Sequence, residues 1–471
     1  MKLDNATVKE RLKAALGLDD TISKIVVVGL GVTGVSVARY LASLEFDFVV
    51  ADSREHPAGL AELQEEISSL MVFTGEFDEQ LLTNASHLIV SPGISLTEYA
   101  IQQAINHGVK VLGDIDLLAC SINTPVIAIT GSNGKSTVTT LLGDMAKAAG
   151  RNPGVGGNLG LAALDLLNQE ADLYVLELSS FQLERTTQLN AAAATVLNIS
   201  ADHLDRHVDL ADYAAQKQRI FYGDGVMVLN ADDPIVSAMR DPGRTTLTFS
   251  IRNKADFWIA QAHNQDYLMH HDKQLLALAE LPLEGRHNAA NALAALALGA
   301  AIGLSQEAMI TALRSFQGLK HRMQVVGTVN GVTWVNDSKA TNIGACIAAL
   351  QGYDRKVVLI AGGDAKGSDM NELVPSIKEK TSCVILMGKD APLIEQALAD
   401  CVPIIHVGSM KEAVKSAASV AKNGDTVLLS PACASLDQYK NYQDRGDQFA
   451  TAVLSLPCSG NANSTSVMAA L

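Results

Sequence analysis

The chain has 471 residues, 48% of them hydrophobic and 18% charged, so apolar side chains suffice for several cores and disorder along the whole length is excluded. Lys and Arg number 36 against 51 Asp and Glu, a formal charge of −15, which excludes the broad basic footprint that nucleic-acid backbones require. A small anion in a locally positive cleft stays possible. Residues 1–20 read as a short helix packed ahead of the first strand, and Met1–Glu10 lack the apolar core of a secretory signal. Continuous apolar runs then recur at Lys24–Val28, Phe48–Ala51, His87–Val90, Val126–Ile129, Leu173–Leu176, Ala194–Leu197, Val226–Leu229, Val357–Ile360, Val384–Met387 and Val427–Leu429. Most are followed by a Gly-rich turn and a helical pattern. Unbroken runs suit parallel strands buried on both faces, so the predicted class is α/β with mainly parallel sheets.

At roughly 100–200 residues per domain the length predicts two to four domains. Three blocks separate: 1–113, 114–318 and 319–471. The third opens on Val325–Val335, which reads as a hairpin around Asn330-Gly331, and its tail from Pro457 is small, polar and expected to fray. Ala289–Leu304 contains Asn291 and two glycines and falls short of the roughly 18 apolar residues of a membrane span. It reads as a buried Ala/Leu helix, and no membrane insertion is expected. Six scattered cysteines form no C-x-x-C pair, which argues against a zinc knuckle or a disulfide framework and for a reducing cytoplasm.

In the first block, Gly29-Leu-Gly31-Val-Thr-Gly34 follows a strand and opens a helix, and Asp52 ends the next strand, eighteen residues on (52 − 34). That is the dinucleotide-binding fingerprint, which by itself suggests an NAD-dependent dehydrogenase. No candidate hydride-transfer site accompanies it, and the same turn can hold the diphosphate of a nucleotide sugar. The middle block carries Thr130-Gly-Ser-Asn-Gly-Lys-Ser-Thr137 between a strand and a helix. Gly131 and Gly134 let backbone N–H groups turn inward around an anion. Lys135 offers a point charge to the β- and γ-phosphates, Ser136 a hydroxyl for Mg²⁺, and the helix N-terminus a partial positive charge. The full P-loop pattern wants a glycine five positions before Gly134; Ile129 stands there.

Glu177 closes a strand at the end where α/β sheets place ligands, within reach of a metal beside the phosphates. His203 lies in a turn after a strand, a place for a ligand or base, although a lone histidine there is more often structural. Lys217, taken alone, reads as a solvated helix position. Gly156-Gly157 reads as a plain turn, Asn288 and Asn291 as capping or ligand-contacting residues in the first turn of the Ala/Leu helix, and Arg445 with Asp447 as a helix-surface pair.

Taken in order, T-G-S-N-G-K-S-T, E-L-S-S-F-Q-L, N-I-S-A-D-H-L-D-R-H, Y-A-A-Q-K-Q-R-I, V-L-N-A-D-D, G-R-H-N-A-A-N-A-L-A-A, H-R-M and N-D-S-K-A-T-N resemble the Mur ligases, the ATP-dependent amino-acid ligases of peptidoglycan precursor synthesis. The resemblance runs from about Ser23 to about Ala450. G-L-G-V-T-G with S-P-G-I, and L-S-P-A-C-A-S-L-D-Q-Y-K-N-Y-Q-D-R-G near the C-terminus, are similar to the members that add D-glutamate to UDP-N-acetylmuramoyl-L-alanine.

The resemblance implies three domains: a Rossmann-like one for the UDP group, a central ATPase and a C-terminal Rossmann-like one for the amino acid. It implies that the loop Gly131, Ser132, Asn133, Gly134, Lys135, Ser136 and Thr137 holds ATP, with Asn288 and Asn291 at the nucleotide and Arg322 and Asp337 at the γ-phosphate and ribose. Two Mg²⁺ ions are implied, on Ser136, Glu177, His203 and Lys217. The family carbamylates the matching lysine with CO₂, which needs a neutral amine and so surroundings that favour one. Lys339 is a further cation for phosphoryl transfer. Val32, Thr33, Asp52, Ser53, Ser91 and Gly93 would contact the uridine diphosphate end, and Asn158 the muramoyl–alanine part. For D-glutamate, Thr341 and Lys366 would hold the α-carboxylate, and Ser435 with Tyr442 the side-chain carboxylate.

Overall fold

The computed structural model describes residues 3–203, 206–262, 264–282, 285–398 and 401–457. Of the tail expected to fray, only Pro457 falls among them. Three sheets are distributed over two compact units. One unit comprises the chain up to Ile199, with Ala211–Glu280 and Asn291–Ser315; the other comprises Ser200–Leu210, Leu281–Ala290 and the chain from Phe316 onward.

The first unit opens with the expected short helix, Asn5–Leu16, capped by the Asp4 side chain. Its five-stranded sheet is wholly parallel in the order β3-β2-β1-β4-β5, from β1 (Ile25–Val28), β2 (Phe48–Asp52), β3 (Met71–Thr74), β4 (His87–Val90) and β5 (Lys110–Leu112). β1 and β4 are buried along their whole length, as unbroken apolar runs predict for strands covered on both faces. The order reverses between them, and the crevice beyond the strand ends at such a point is where open sheets take ligands. Gly34 is essential there, because a Cβ on it would lie 1.8 Å from the Gly29 carbonyl oxygen. Gly34→Ala is expected to cost about 1–3 kcal/mol in thermal or urea unfolding, the usual range for overpacking. A loss below about 0.5 kcal/mol, the scale of an ordinary surface change, would show the turn to be slack.

The nine-stranded sheet has the order β14-β13-β12-β11-β10-β9-β6-β8-β7. Its parallel part comprises β6 (Val126–Thr130), β7 (Pro153–Gly157), β8 (Leu173–Glu177), β9 (Ala193–Val196), β10 (Val226–Asn230) and β11 (Thr246–Ser250). β12 (Phe257–Ala262) pairs parallel with β11. β13 (Gln265–His270) and β14 (Lys273–Ala277) then continue antiparallel. Gly156-Gly157, expected as a turn, ends the edge strand β7. Small residues beside β8 carry no apolar run to announce a strand.

The second unit holds a six-stranded sheet in the order β15-β16-β20-β17-β18-β19: β15 (Gln324–Val329), β16 (Val332–Asn336), β17 (Val357–Ala361), β18 (Thr381–Leu386), β19 (Ile404–His406) and β20 (Thr426–Leu429). β15 and β16 form the expected hairpin around Asn330-Gly331. Alternation along β17 sends Leu359 and Ala361 into one core and Val358 and Ile360 into the other, so helices cover both faces. No helix among the described residues is long and apolar enough to cross a membrane.

Candidate active site

β6 ends at Thr130, and the turn beyond it leads into the helix Lys135–Ala148. Gly134 caps that helix with a left-handed φ of +84°, and a Cβ on it would lie 2.3 Å from Asn291 Oδ1, so glycine is what lets Asn291 sit against the loop. Asn198, unanticipated at the site, braces the same turn. Its carbonyl accepts from Ser132 N at 2.9 Å, its Oδ1 accepts from Asn133 N at 2.8 Å, and its Nδ2 donates to the Asn133 carbonyl at 3.1 Å. Lys135 Nζ folds back onto the carbonyls of Gly131 (2.8 Å) and Ser132 (2.9 Å). Ser136 and Thr137 are buried in the first helical turn. A cation over a glycine turn at a helix N-terminus is a phosphate cradle in its chemistry.

Register places Glu177 beside Ile129 on one flank and Gly157 on the other, so the loop, Glu177 and Asn158 share one edge of the sheet. Glu177 is buried, and its Oε1 accepts from Asn158 Nδ2 at 2.7 Å. Lys217 corrects the expectation of a solvated lysine: it is 1% exposed. On the helix Leu210–Gln218 it shares a buried stripe with Tyr213 and Ala214. Its Nζ lies 3.3 Å from Thr130 Oγ1 and 4.5 Å from the centre of the Tyr213 ring, at the end of the strand that carries the loop. Burying an ammonium is costly, so a lysine kept there points to chemistry rather than solubility.

The seven residues expected at the UDP-linked substrate come together. Val32, Thr33, Asp52, Ser53, Ser91, Gly93 and Asn158 line one cavity of about 680 Å³ in the first unit. Asp52 accepts from Leu30 N at 2.6 Å and from Arg54 at 2.7 and 2.8 Å. Burial works to raise its carboxyl, but the bonds from Arg54 and Leu30 outweigh it and hold the group below the usual carboxylate range. Arg54 also lines the cavity and was not anticipated; an arginine two residues after the strand-ending acid was the available signal.

In the second unit, His203 has a left-handed φ of 56° and its Nε2 lies 3.7 Å from Asp202 Oδ2. Asp202, also unanticipated, accepts from Asn342 Nδ2 at 2.9 Å and lies 3.7 Å from Lys366 Nζ, so one carboxylate joins His203 and Lys366. Lys339 Nζ lies 4.1 Å from the centre of the Tyr442 ring. Thr341 N donates to the Lys339 carbonyl at 2.8 Å, and Ser435 is buried. The Ala/Leu helix begins at Arg286, which puts Asn288 past the capping position. Arg445 is a second correction: it is 2% exposed and not part of a surface pair. Its guanidinium donates to Ser338 Oγ (3.0 Å), the Ser338 carbonyl (2.8 Å) and the Cys433 carbonyl (3.1 Å), tying the Asp337–Lys339 and Cys433–Ser435 segments together.

Asp337 accepts from Ser430 Oγ at 3.0 Å and from Met323 N at 3.3 Å. Burial pushes its carboxyl up to about 7, against the pull of those bonds and of Arg322. The folded state thus binds this proton more tightly than the unfolded chain, whose value is near 3.8. Stability is expected to fall as pH rises from about 4 to about 7, by a few kcal/mol at most, at about 1.4 kcal/mol per pKa unit. Urea unfolding of wild type and Asp337→Asn between pH 5 and 8 checks this, and a pH-independent difference between them would contradict it.

Family models match in chain order: the Mur ligase MurD-like N-terminal domain at 23–113, the Mur ligase middle domain at 129–299 and the Mur ligase glutamate ligase domain at 321–433. The chain is 54% identical over 443 residues to the UDP-N-acetylmuramoylalanine--D-glutamate ligase of Methylococcus capsulatus, covering 94% of this chain and 96% of that protein. It is 50% identical over 435 residues to the protein of that name from Pseudomonas syringae, covering 91% and 97%. Among solved structures, a UDP-N-acetylmuramate-alanine ligase from Thermotoga maritima superposes with a TM-score of 0.60 at 18% identity, over 92% of this chain and 100% of that one. MurF from Acinetobacter baumannii gives 0.59 at 15% identity, over 96% and 99%. These structural likenesses bear on the fold, which they share. With three domain models in sequence, and relatives alike in half or more of their residues over nearly their whole length, the chain belongs to the Mur ligase family.

Proposed function

We propose that this ligase joins D-glutamate to UDP-N-acetylmuramoyl-L-alanine at the expense of ATP, releasing ADP and phosphate, in cytoplasmic synthesis of peptidoglycan precursors. The observation that carries the reading is identity of 50–54% to D-glutamate ligases over nearly their full length. A phosphate-loop architecture and a cavity fit for a nucleotide sugar, both in the first unit, support it.

A carboxylate does not condense with an amine unaided, because its oxygen is a poor leaving group. In the proposed reaction the L-alanyl carboxylate oxygen takes the γ-phosphoryl group of ATP and ADP departs. The D-glutamate nitrogen attacks the acyl carbon, a tetrahedral intermediate forms, and the carbon–oxygen bond to phosphate breaks. Such transfer is mostly positioning and charge neutralisation. Lys135 and Arg322 supply fixed charge at the phosphates, with Lys339 as a third cation; Asn288, Asn291 and Asp337 hold the rest of the nucleotide. Ser136, Glu177, His203 and Lys217, as its carbamate, would hold two Mg²⁺. The hydroxyl and carboxylate present are the hard oxygen donors that ion prefers, and carbamylation would replace a cation beside Thr130 by an anion. Bound Mg²⁺ would neutralise phosphate charge. Thr341 and Lys366 take one carboxylate of D-glutamate, Ser435 and Tyr442 the other.

An amino-acid panel tests the proposal. With ATP and UDP-N-acetylmuramoyl-L-alanine, phosphate release is expected with D-glutamate and not with L-glutamate, L-lysine or meso-diaminopimelate. Preference for any of the last three would overturn it.

A further inference from the structure

We infer that Asp114 and Arg185, buried behind the cavity lined by Asp52 and Asn158, are positioning residues that fix its span by holding Gln182 and the Ser91–Ile94 turn against each other. The inference rests on the reading of that cavity as the UDP-substrate site.

The cavity has walls from both sheets of the first unit. Ser91, Pro92, Gly93 and Ile94 follow β4 of the five-stranded sheet, and Ser179, Phe181 and Gln182 follow β8 of the nine-stranded one. One buried side chain, Arg185, joins these walls, and a second, Asp114, braces Gln182 within one of them. Arg185, with no side-chain exposure, donates from Nη1 to the Phe181 carbonyl at 2.5 Å and from Nη2 to the Ile94 carbonyl at 2.6 Å. One planar fork therefore spans both walls, a geometry that an ammonium on a single carbon chain does not reproduce. Asp114 accepts at Oδ2 from Gln182 Nε2 at 3.1 Å. The other end of that amide accepts from Ser179 N at 3.2 Å and Ser179 Oγ at 3.3 Å. Amide oxygen and nitrogen are nearly alike in shape, so partners alone decide which way Gln182 faces. The Ser179 N–H can only donate, so it turns the amide oxygen its way, and Asp114 takes and holds the Nε2 end that is left.

Both residues carry the cost of a buried charge. Asp114 is 3% exposed and its Oδ1 has no hydrogen-bond partner. A buried carboxyl carries a desolvation cost, which its place in the first turn of the helix Asp114–Ser121 offsets in part. The neighbouring Arg185 charge offsets it in part, and Arg185 is itself a buried cation. The two are better accounted for as a pair kept for the geometry they impose. Burial pushes the Asp114 carboxyl up to about 6, so in an assay near pH 8 it is an acceptor, a role an asparagine oxygen can fill.

Steady-state kinetics of the full-length enzyme test this, with melting temperature followed for each variant. Asp114→Ala and Arg185→Lys are expected to raise KM for UDP-N-acetylmuramoyl-L-alanine about tenfold, the scale of one lost charge-assisted bond. kcat should stay within about twofold, and KM for ATP and D-glutamate should not move. Asp114→Asn should return the donor KM to near wild type. If Asp114→Ala fails to fold, Arg185→Lys, which keeps the charge, carries the test alone. Unchanged donor KM, an equal rise in all three KM values, or Asp114→Asn no better than Asp114→Ala would overturn the inference. Asp52→Ala separates the two levels: if it leaves donor KM unmoved, the reading of the cavity fails and takes the inference with it. If it weakens the donor while Arg185→Lys and Asp114→Ala do not, only the inference fails.

Discussion

Lys217→Ala is expected to abolish ligation, with kcat reduced by about a thousandfold or more, the scale on which single electrostatic groups act in a preorganised site. The residue sits 1% exposed at the end of β6, against Thr130 Oγ1 and the Tyr213 ring. Alanine there removes the amine that CO₂ would modify, so high bicarbonate is expected not to restore activity. Truncation of a buried side chain that packs on Tyr213 and donates to Thr130 is also expected to lower the melting temperature, so activity is compared where the variant is folded. Turnover within about tenfold of wild type would remove the carbamate from the account, since loss of even an outer-shell metal partner costs 10–100-fold.

The second large effect is expected from Lys135→Ala. Lys135 Nζ lies over the carbonyls of Gly131 and Ser132, in the mouth of the glycine turn. Without that charge, on the proposed reading, the γ-phosphoryl group loses one of its fixed cations while the amide cradle braced by Asn198 remains. kcat/KM for ATP is expected to fall about a thousandfold with folding unaffected, as measured by coupled phosphate release and circular dichroism. A fall of less than tenfold would mean that the loop does not hold the transferring phosphate.

Strands buried on both faces, such as β1, β4, β6 and β17, were legible because burial leaves an unbroken apolar run. The antiparallel pair β13–β14 was not, since each strand opens on polar residues, and β3 (Met71–Thr74) is a four-residue run that lies mostly exposed. Residues in glycine turns after strands were legible for a similar reason: the turn geometry demands particular side chains, as at Gly134. Lys217 and Arg445 were misjudged because a charged residue on a helix is usually solvated. What buries these two is the neighbouring sheet or loop, which no local pattern encodes. Asn198 and Asp202 follow a strand in a segment where Asn and Asp ordinarily serve turns, so their bracing of the loop and of Lys366 became visible only in three dimensions. The cysteine-bearing loop that Arg445 secures shows the same limit: Cys433 is a free buried thiol whose carbonyl accepts from Arg445.

The central claim is that ATP activates the donor's own carboxylate so that nitrogen displaces phosphate. The most direct measurement follows isotopically heavy oxygen placed in the L-alanyl carboxylate of UDP-N-acetylmuramoyl-L-alanine. The account predicts one heavy atom in the inorganic phosphate for each amide formed and none in ADP. Unlabelled phosphate alongside normal amide formation would contradict it.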